Sequence, residues 1–148
     1  GAVSADAYTR ARVARHGLLA LAKEEAIYFT RNTDDAGNSL LETCTYEISG
    51  EPQDAFWWSI TLYDATSRLP MNDDDALSID ATTIGNVPNW TAIISPTRPD
   101  TAHWLSSREA GQFDLTLRLY RPAQDVIDAP ELALAAPAIR KIRCEHAA

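Results

Sequence analysis

The chain has 148 residues, of which 45% are hydrophobic and 23% are charged, and its formal net charge is −8. This composition is typical of one folded globular domain spanning residues 1–148, and it excludes an intrinsically disordered chain. The acidic balance also excludes a general nucleic-acid binder, because contacts to phosphate groups need clustered Lys and Arg.

The first segment, residues 4–25, is predicted to form a helix. Ser4 and Asp6 have the side chains that N-caps favour. Apolar residues then recur at helical spacing: Tyr8, Ala11, Ala14, Leu18, Leu21 and Ala22. Because this apolar face is rich in Ala and poor in Phe and Trp, packing onto the domain is favoured over binding to a membrane surface.

After residue 25 the hydrophobic period changes from 3.6 to 2, which is typical of strands. The stretches 26–31 and 39–49 are predicted to pair as a hairpin across the turn at 32–38, which contains Gly37. One face of the second strand carries the apolar residues Leu40, Cys44, Tyr46 and Ile48.

The clearest strands are Phe56–Tyr63 and Phe113–Tyr120, in which apolar and polar residues alternate. Their inward set is Phe56, Trp58, Ile60, Leu62, Phe113, Leu115, Leu117 and Leu119. We expect these two strands at the centre of the core. Weaker strands are predicted near 76–80, 90–95 and 137–144, with a Pro-punctuated loop ending at 103–105. Residues 26–148 are therefore expected to form an antiparallel sandwich or a closed barrel.

Two cysteines, Cys44 and Cys144, lie in predicted strands and are spaced unlike a metal or redox motif. Two interpretations stay open: a disulfide that ties the last strand to the body of the sheet, or two buried thiols in a cytosolic protein. The leading Gly1 predicts that an upstream export segment or anchor has been removed. No apolar run approaches the ~20 residues of a membrane span. We expect a periplasmic or membrane-anchored extracytoplasmic protein.

Four segments together carry a resemblance to a known family: Glu25–Phe29 (EAIYF), Tyr46–Tyr63 followed by Asp64, Trp104–Leu105, and Phe113–Pro122 (FDLTLRLYRP). They resemble the bacterial family called domain of unknown function 1214. The resemblance implies a jelly-roll-like β-sandwich, which occurs as the second half of two-domain proteins or alone behind an N-terminal membrane or export segment. This chain resembles the second type.

The chain departs from that family at two places. His103 and Ser106 stand where members tend to have Asn and Pro around the Trp-Leu pair, and Arg121 stands where an aromatic is usual. The family implies no established activity, so the resemblance assigns no catalytic residue and no cofactor.

The residues themselves offer little reactive chemistry. The sequence holds no Gly-x-Ser-x-Gly motif, and His103 beside Trp104 is its one candidate acid or base, against the interpretation of an idle loop histidine. A glycosidase would need two facing carboxylates, for which the candidates are Glu47, Asp64 and Asp114.

Two acidic stretches are weighed as metal sites. Residues 32–38 lack the ligands of a calcium loop and predict a turn. Asn72–Asp75 predicts a solvated loop. We therefore assign no catalytic residue, no metal ligand and no cofactor.

The aromatic residues are the more informative signal. Five residues form the predicted ligand-binding set: Trp57, Tyr63, Tyr120, His103 and Trp104. The first three lie on the face opposite the core, where sandwich domains stack aromatics on sugars or partners. In the competing interpretation the N-terminal helix covers this face. The leading hypothesis is a non-catalytic ligand-binding or interaction domain of the cell envelope, related to carbohydrate. A hydrolase and a purely structural accessory domain are the alternatives.

Overall fold

Eight strands make up most of the regular structure in the computed structural model, which describes residues 22–85, 87–101 and 103–145. They are β1 (Ala26–Arg31), β2 (Cys44–Gly50), β3 (Ala55–Asp64), β4 (Ser78–Asp80), β5 (Trp90–Ser95), β6 (Trp104–Ser106), β7 (Phe113–Pro122) and β8 (Ala138–Cys144). Three short helices accompany them, namely α1 (Ala81–Ile84), α2 (Gln124–Asp128) and α3 (Pro130–Ala133). The prediction of a mostly β protein is confirmed. The predicted N-terminal helix falls largely on residues 1–21, which lie outside the described residues.

The strands form two four-stranded sheets. Sheet 1 has the order β1-β7-β3-β4, and sheet 2 has the order β6-β5-β2-β8. The sheets face each other: Trp58 of β3 stacks on Trp90 of β5 with ring centroids 5.4 Å apart, and Tyr46 of β2 meets Phe113 of β7 edge-on at 6.0 Å. This is a sandwich, with the core between the layers.

The two strands predicted at the centre of the core are neighbours in sheet 1. β3 pairs antiparallel with β7, with Ala55 opposite Pro122 at one end and Asp64 opposite Phe113 at the other. The alternation in both sequences holds for seven of the eight predicted inward residues, which are buried: Trp58, Ile60, Leu62, Phe113, Leu115, Leu117 and Leu119. Period-2 patterning thus identified the centre of the fold correctly.

Phe56 is the exception, because it is 76% exposed rather than buried. It has the inward phase of β3, but the alternation does not extend to this end of the strand, where Ala55 and not Phe56 packs against the core. Its ring instead lies against the guanidinium of Arg121, with Cζ 5.2 Å from the ring centroid. Arg121 has a left-handed backbone with φ of 48°, so the regular ladder is interrupted beside Phe56.

The predicted hairpin between 26–31 and 39–49 is wrong. β1 pairs with β7 in sheet 1, whereas β2 pairs with β5 and β8 in sheet 2, so the turn at 32–38 connects the two layers. Asp34, which is 3% exposed, holds this turn by accepting hydrogen bonds from the backbone N–H groups of Ala36 and Asn38 at 3.0 and 2.8 Å. Because the Asp34 side chain accepts the hydrogen bonds that the turn offers, the turn is stable even though the two strands that flank it do not pair with each other.

Two further expectations about topology need correction. The loop predicted at 103–105 contains the start of β6, which pairs with β5 in parallel. The described sheets are therefore not wholly antiparallel, although the other strand pairings are. The jelly-roll connectivity that the family resemblance implies stays a prediction.

The two cysteines form a disulfide between Cys44 and Cys144, which stand opposite each other in β2 and β8. This bond resolves the alternatives left by the sequence in favour of pairing. Cys44 is buried and belongs to the core, whereas Cys144 ends the last strand. The bond therefore ties the C-terminal end of β8, an edge strand of sheet 2, to β2, an interior strand of the same sheet.

We expect the double variant Cys44→Ser/Cys144→Ser to be about 2–5 kcal/mol less stable, and the chain-entropy model for a loop of this length gives about 4.7 kcal/mol. The reason is that the bond joins residues 100 positions apart and so restricts the unfolded chain strongly. Guanidinium unfolding of the variant, and of the wild type with and without reductant, measures the difference. Equal midpoints for the oxidised and reduced wild type would contradict the prediction.

Candidate functional site

Four aromatic side chains and one arginine gather on the outer face of sheet 1. The antiparallel registers bring together on it Tyr28 of β1, Trp57 and Tyr63 of β3, and Arg118 and Tyr120 of β7. We call these five residues the aromatic face. Each of the five side chains is half-buried. Three of them, Trp57, Tyr63 and Tyr120, belong to the ligand-binding set that the sequence predicts.

At one end of the aromatic face Trp57 and Tyr120 form a fixed aromatic pair. They stand opposite each other in the β3–β7 ladder, with ring centroids 5.4 Å apart and ring planes 54° apart. The indole N–H of Trp57 donates to Oγ1 of Thr82 at 3.1 Å. The backbone N–H of Thr82 in turn donates to Oδ1 of Asp80, the N-cap of α1, at 2.8 Å. The short helix α1 thus orients the Trp57 ring.

At the middle of the aromatic face lies the guanidinium of Arg118. It donates to Oγ1 of Thr61 at 2.9 Å and to the phenol oxygen of Tyr63. Its Cζ also lies 5.3 Å from the ring centroid of Tyr63 and 5.9 Å from that of Tyr28. A positive charge is therefore held between two aromatic rings, an arrangement that cation–π attraction favours.

Small hydroxyl residues form the floor between these large side chains. Ser59, Thr61 and Thr116 are 5%, 8% and 6% exposed although they lie on the outer side of the sheet. Oγ1 of Thr116 is 3.0 Å from Oγ1 of Thr30, and Oγ1 of Thr61 is 3.2 Å from Oγ of Ser78. The hydroxyl groups make a polar row across the sheet, perpendicular to its strands.

The phenol of Tyr28 on the aromatic face is protonated at neutral pH. Burial raises the pKa of Tyr28 above its ordinary value, and the neighbouring Tyr120 and Tyr63 raise it further, while Arg118 opposes the shift. A neutral phenol both donates and accepts a hydrogen bond. The aromatic face therefore offers hydroxyl donors and acceptors beside apolar rings and one fixed cation.

The other two predicted ligand-binding residues lie elsewhere. Trp104 stands opposite Ile93 on the outer side of sheet 2, where its indole N–H donates to the backbone oxygen of Ser95 at 3.1 Å. His103 lines a shallow groove of about 420 Å³ that also includes Glu47 and Ile93. The structure thus divides the predicted set between the two outer surfaces of the sandwich.

The three carboxylates considered for glycoside hydrolysis are divided between the two sheets. Asp114 stands opposite Tyr63 on sheet 1, and Asp64 accepts hydrogen bonds within the turn that follows β3. Glu47 lies in sheet 2, where it pairs with Arg140 at 2.9 Å. Glu47 is therefore separated from Asp64 and Asp114 by the two layers of the sandwich.

The acidic stretch Asn72–Asp75 is a loop with Asp73 and Asp75 exposed, as predicted, but Asp73 and Asp74 also belong to a polar network. Arg108 donates to Asp73 at 2.6 Å and to both carboxylate oxygens of Asp74, at 2.8 and 2.9 Å. The fully buried Ser106 donates to Asp74 at 2.6 Å. These partners are more than 30 residues away in sequence, so no local pattern could have indicated them. The network anchors a loop, and among the described residues no group of His, Cys, Asp and Glu is arranged to hold a metal ion.

No helix in the described ranges is long and apolar enough to cross a membrane.

The fold and the aromatic face define a two-sheet β-sandwich domain with a half-buried aromatic surface. The chain belongs to the family described as "Protein of unknown function (DUF1214)", whose model matches residues 25–124. The resemblance found in the sequence is thereby confirmed.

Two crystal structures share the fold. The VPA0106 protein from Vibrio parahaemolyticus is 22% identical with a TM-score of 0.70, and the match covers 82% of this chain and 31% of that one. A putative uncharacterized protein from Burkholderia cenocepacia is 16% identical with a TM-score of 0.57, covering 80% and 30%. The chain thus spans under one third of the length of either neighbour. No curated protein matches it.

We expect Asp74→Asn to lower the free energy of unfolding at neutral pH. We also expect that the variant loses less of this free energy than the wild type does when the pH is lowered into the acid range. The hydrogen bonds from Arg108 and Ser106 lower the pKa of Asp74. A lowered folded-state pKa gives stability that is present above the unfolded pKa of about 3.9 and is lost as the pH falls below it. Thermal unfolding between neutral pH and acid measures both effects.

Asp75→Asn is the matched control, because Asp75 makes no hydrogen bond to Arg108 in the part of the chain that the structure describes. It removes one carboxylate from the same segment and should keep the wild-type acid profile. Identical profiles for the two variants would show that the Arg108 network contributes nothing to acid stability.

Proposed function

We propose that this protein is a non-catalytic carbohydrate-binding domain of the bacterial cell envelope, and that its aromatic face is the binding surface. The observation that carries the proposal is the fixed Trp57–Tyr120 pair beside the Arg118 cation and above a floor of hydroxyl groups. Sugar rings present apolar C–H faces and a rim of hydroxyls. A surface that combines aromatic planes with hydrogen-bonding groups suits both.

The geometry of the aromatic face favours binding over catalysis. Its cation is already engaged by Thr61 and Tyr63, and burial raises the pKa of the Tyr28 phenol above its ordinary value. A general acid or base at neutral pH needs a pKa near 7, and the raised pKa of Tyr28 moves away from that value. The groups present therefore orient a ligand rather than transfer its protons.

The proposed compartment is the periplasm, or the outer side of the membrane behind an upstream anchor. Its support is the disulfide between Cys44 and Cys144, because disulfides persist mainly in oxidising compartments. Envelope polysaccharides and their fragments are present there. The compartment and the ligand class thus support each other.

A hydrolase is the second candidate, and one observation favours it: His103 and Glu47 line the same groove on sheet 2. Glu47 is paired with Arg140, which suits a structural carboxylate better than a catalytic one. In this alternative His103→Ala would abolish hydrolysis while leaving the aromatic face unaffected.

We expect Trp57→Ala to weaken glycan binding by at least about tenfold, because Trp side chains on a binding surface often carry much of the affinity. A glycan array with the wild type identifies a ligand, and tryptophan fluorescence titration gives the dissociation constant for each variant. Arg118→Gln should weaken binding as well, since it releases the phenol of Tyr63.

Phe56→Ala is the matched control, because Phe56 is the neighbouring aromatic of β3 but lies outside the aromatic face and is largely exposed. It should bind glycan like the wild type. Equal effects of the Phe56 and Trp57 variants would refute the assignment. If the predicted N-terminal helix covers this face instead, Trp57→Ala will lower the free energy of unfolding and no glycan will bind the wild type.

A further inference from the structure

A second cavity opens at the surface and reaches between the edges of the two sheets. It has a volume of about 280 Å³ and opens on the side where β1 is the edge strand of sheet 1 and β8 the edge strand of sheet 2. Its walls are apolar side chains from the inner faces of both sheets: Phe29, Ile60, Leu115, Leu117, Ile48 and Ile139. Three residues between α3 and β8 line it as well, namely Leu134, Ala136 and Pro137.

The shape and lining of this cavity select the kind of molecule that fits it. The layers of a sandwich lie about 10 Å apart, so an opening between two edge strands is a slot. An extended alkyl chain enters a slot more readily than a branched or polar molecule does. Because apolar groups line the cavity, water gains few hydrogen bonds there, and an apolar occupant is favoured.

One charged residue, Arg31, lies at the rim of the slot. Its side chain is 37% exposed, and it donates to Oδ1 of Asp35 at 2.8 Å and to the backbone oxygen of Pro137 at 3.3 Å. A guanidinium has five N–H donors, so these two bonds leave donors for another acceptor. Bidentate pairing with a carboxylate is the geometry that arginine favours.

We propose that this slot binds a single alkyl chain bearing a carboxylate, with the chain between the sheets and the carboxylate on Arg31. The site is separate from the aromatic face, which lies on the outer side of sheet 1. The chemistry is that of a fatty-acid anion. The proposal does not depend on the carbohydrate assignment.

The test is calorimetric titration of the full chain with decanoate, octanoate and decanol. We expect decanoate to bind, and octanoate to bind about tenfold more weakly, because two fewer methylenes are buried. Arg31→Gln should lower the affinity for decanoate several-fold while leaving decanol unchanged. The ratio of the decanoate affinity to the decanol affinity is decisive, because a loosened rim would change the affinity for both molecules.

Arg140→Gln is the matched control, since Arg140 is also an ion-paired arginine near an edge of the sandwich but does not line the slot. It should leave both affinities unchanged.

Leu134→Trp fills the slot and should prevent binding of decanoate and decanol alike, with Leu117→Phe as the substitute if circular dichroism shows that the first variant is unfolded. A wild type that binds neither molecule, or an Arg31→Gln variant that keeps the wild-type preference for decanoate, would overturn the proposal. Trp57→Ala should bind decanoate normally, which separates this test from that of the aromatic face.

Discussion

The register of β3 against β7, with Ala55 opposite Pro122 and Asp64 opposite Phe113, decides what both sides of sheet 1 carry. Its inner side supplies the core residues that pack on sheet 2, and its outer side brings Trp57 beside Tyr120 and Arg118 within reach of Tyr63. A shift of one residue would exchange the two sides of the strand that moved. Core and candidate site therefore depend on one pairing, because the register that packs the core also sets which outer side chains are neighbours.

The second constraint is the closure of the sandwich where β1 and β8 are the edges. No strand pairing joins the layers there among the described residues. Asp35 instead connects them: its N–H donates to the backbone oxygen of Ile139 at 2.8 Å, and its carboxylate accepts from the N–H of Ile139 and from Arg31. The disulfide fixes the far end of β8. Hydrogen bonds through Asp35 thus join the two layers at the edge where the slot opens.

The sequence predicted the parts of this structure that depend on local periodicity. Strict alternation identified β3 and β7, and their outward phase identified Trp57, Tyr63 and Tyr120. Properties set by distant partners were not accessible. The exposure of Phe56 accompanies the interruption of the β3–β7 ladder at Arg121, and the role of Asp74 depends on Arg108, which follows it by 34 residues. The hairpin was mispredicted because turn chemistry at 32–38 specifies a reversal of the chain but not the sheet that the next strand joins.

β1 takes part in both proposed sites. Thr30 lines the slot and is also 3.0 Å from Thr116 in the hydroxyl row beneath the aromatic face, while Tyr28 on the same strand contacts Arg118. As an edge strand, β1 is paired with β7 on one side and has no described strand on the other. Any displacement of β1 by a molecule in the slot would therefore reach the aromatic face through Thr30 and Tyr28, because β7 itself is held on its other side by β3. The edge strand is the physical route by which occupancy of the interior could alter the outer surface.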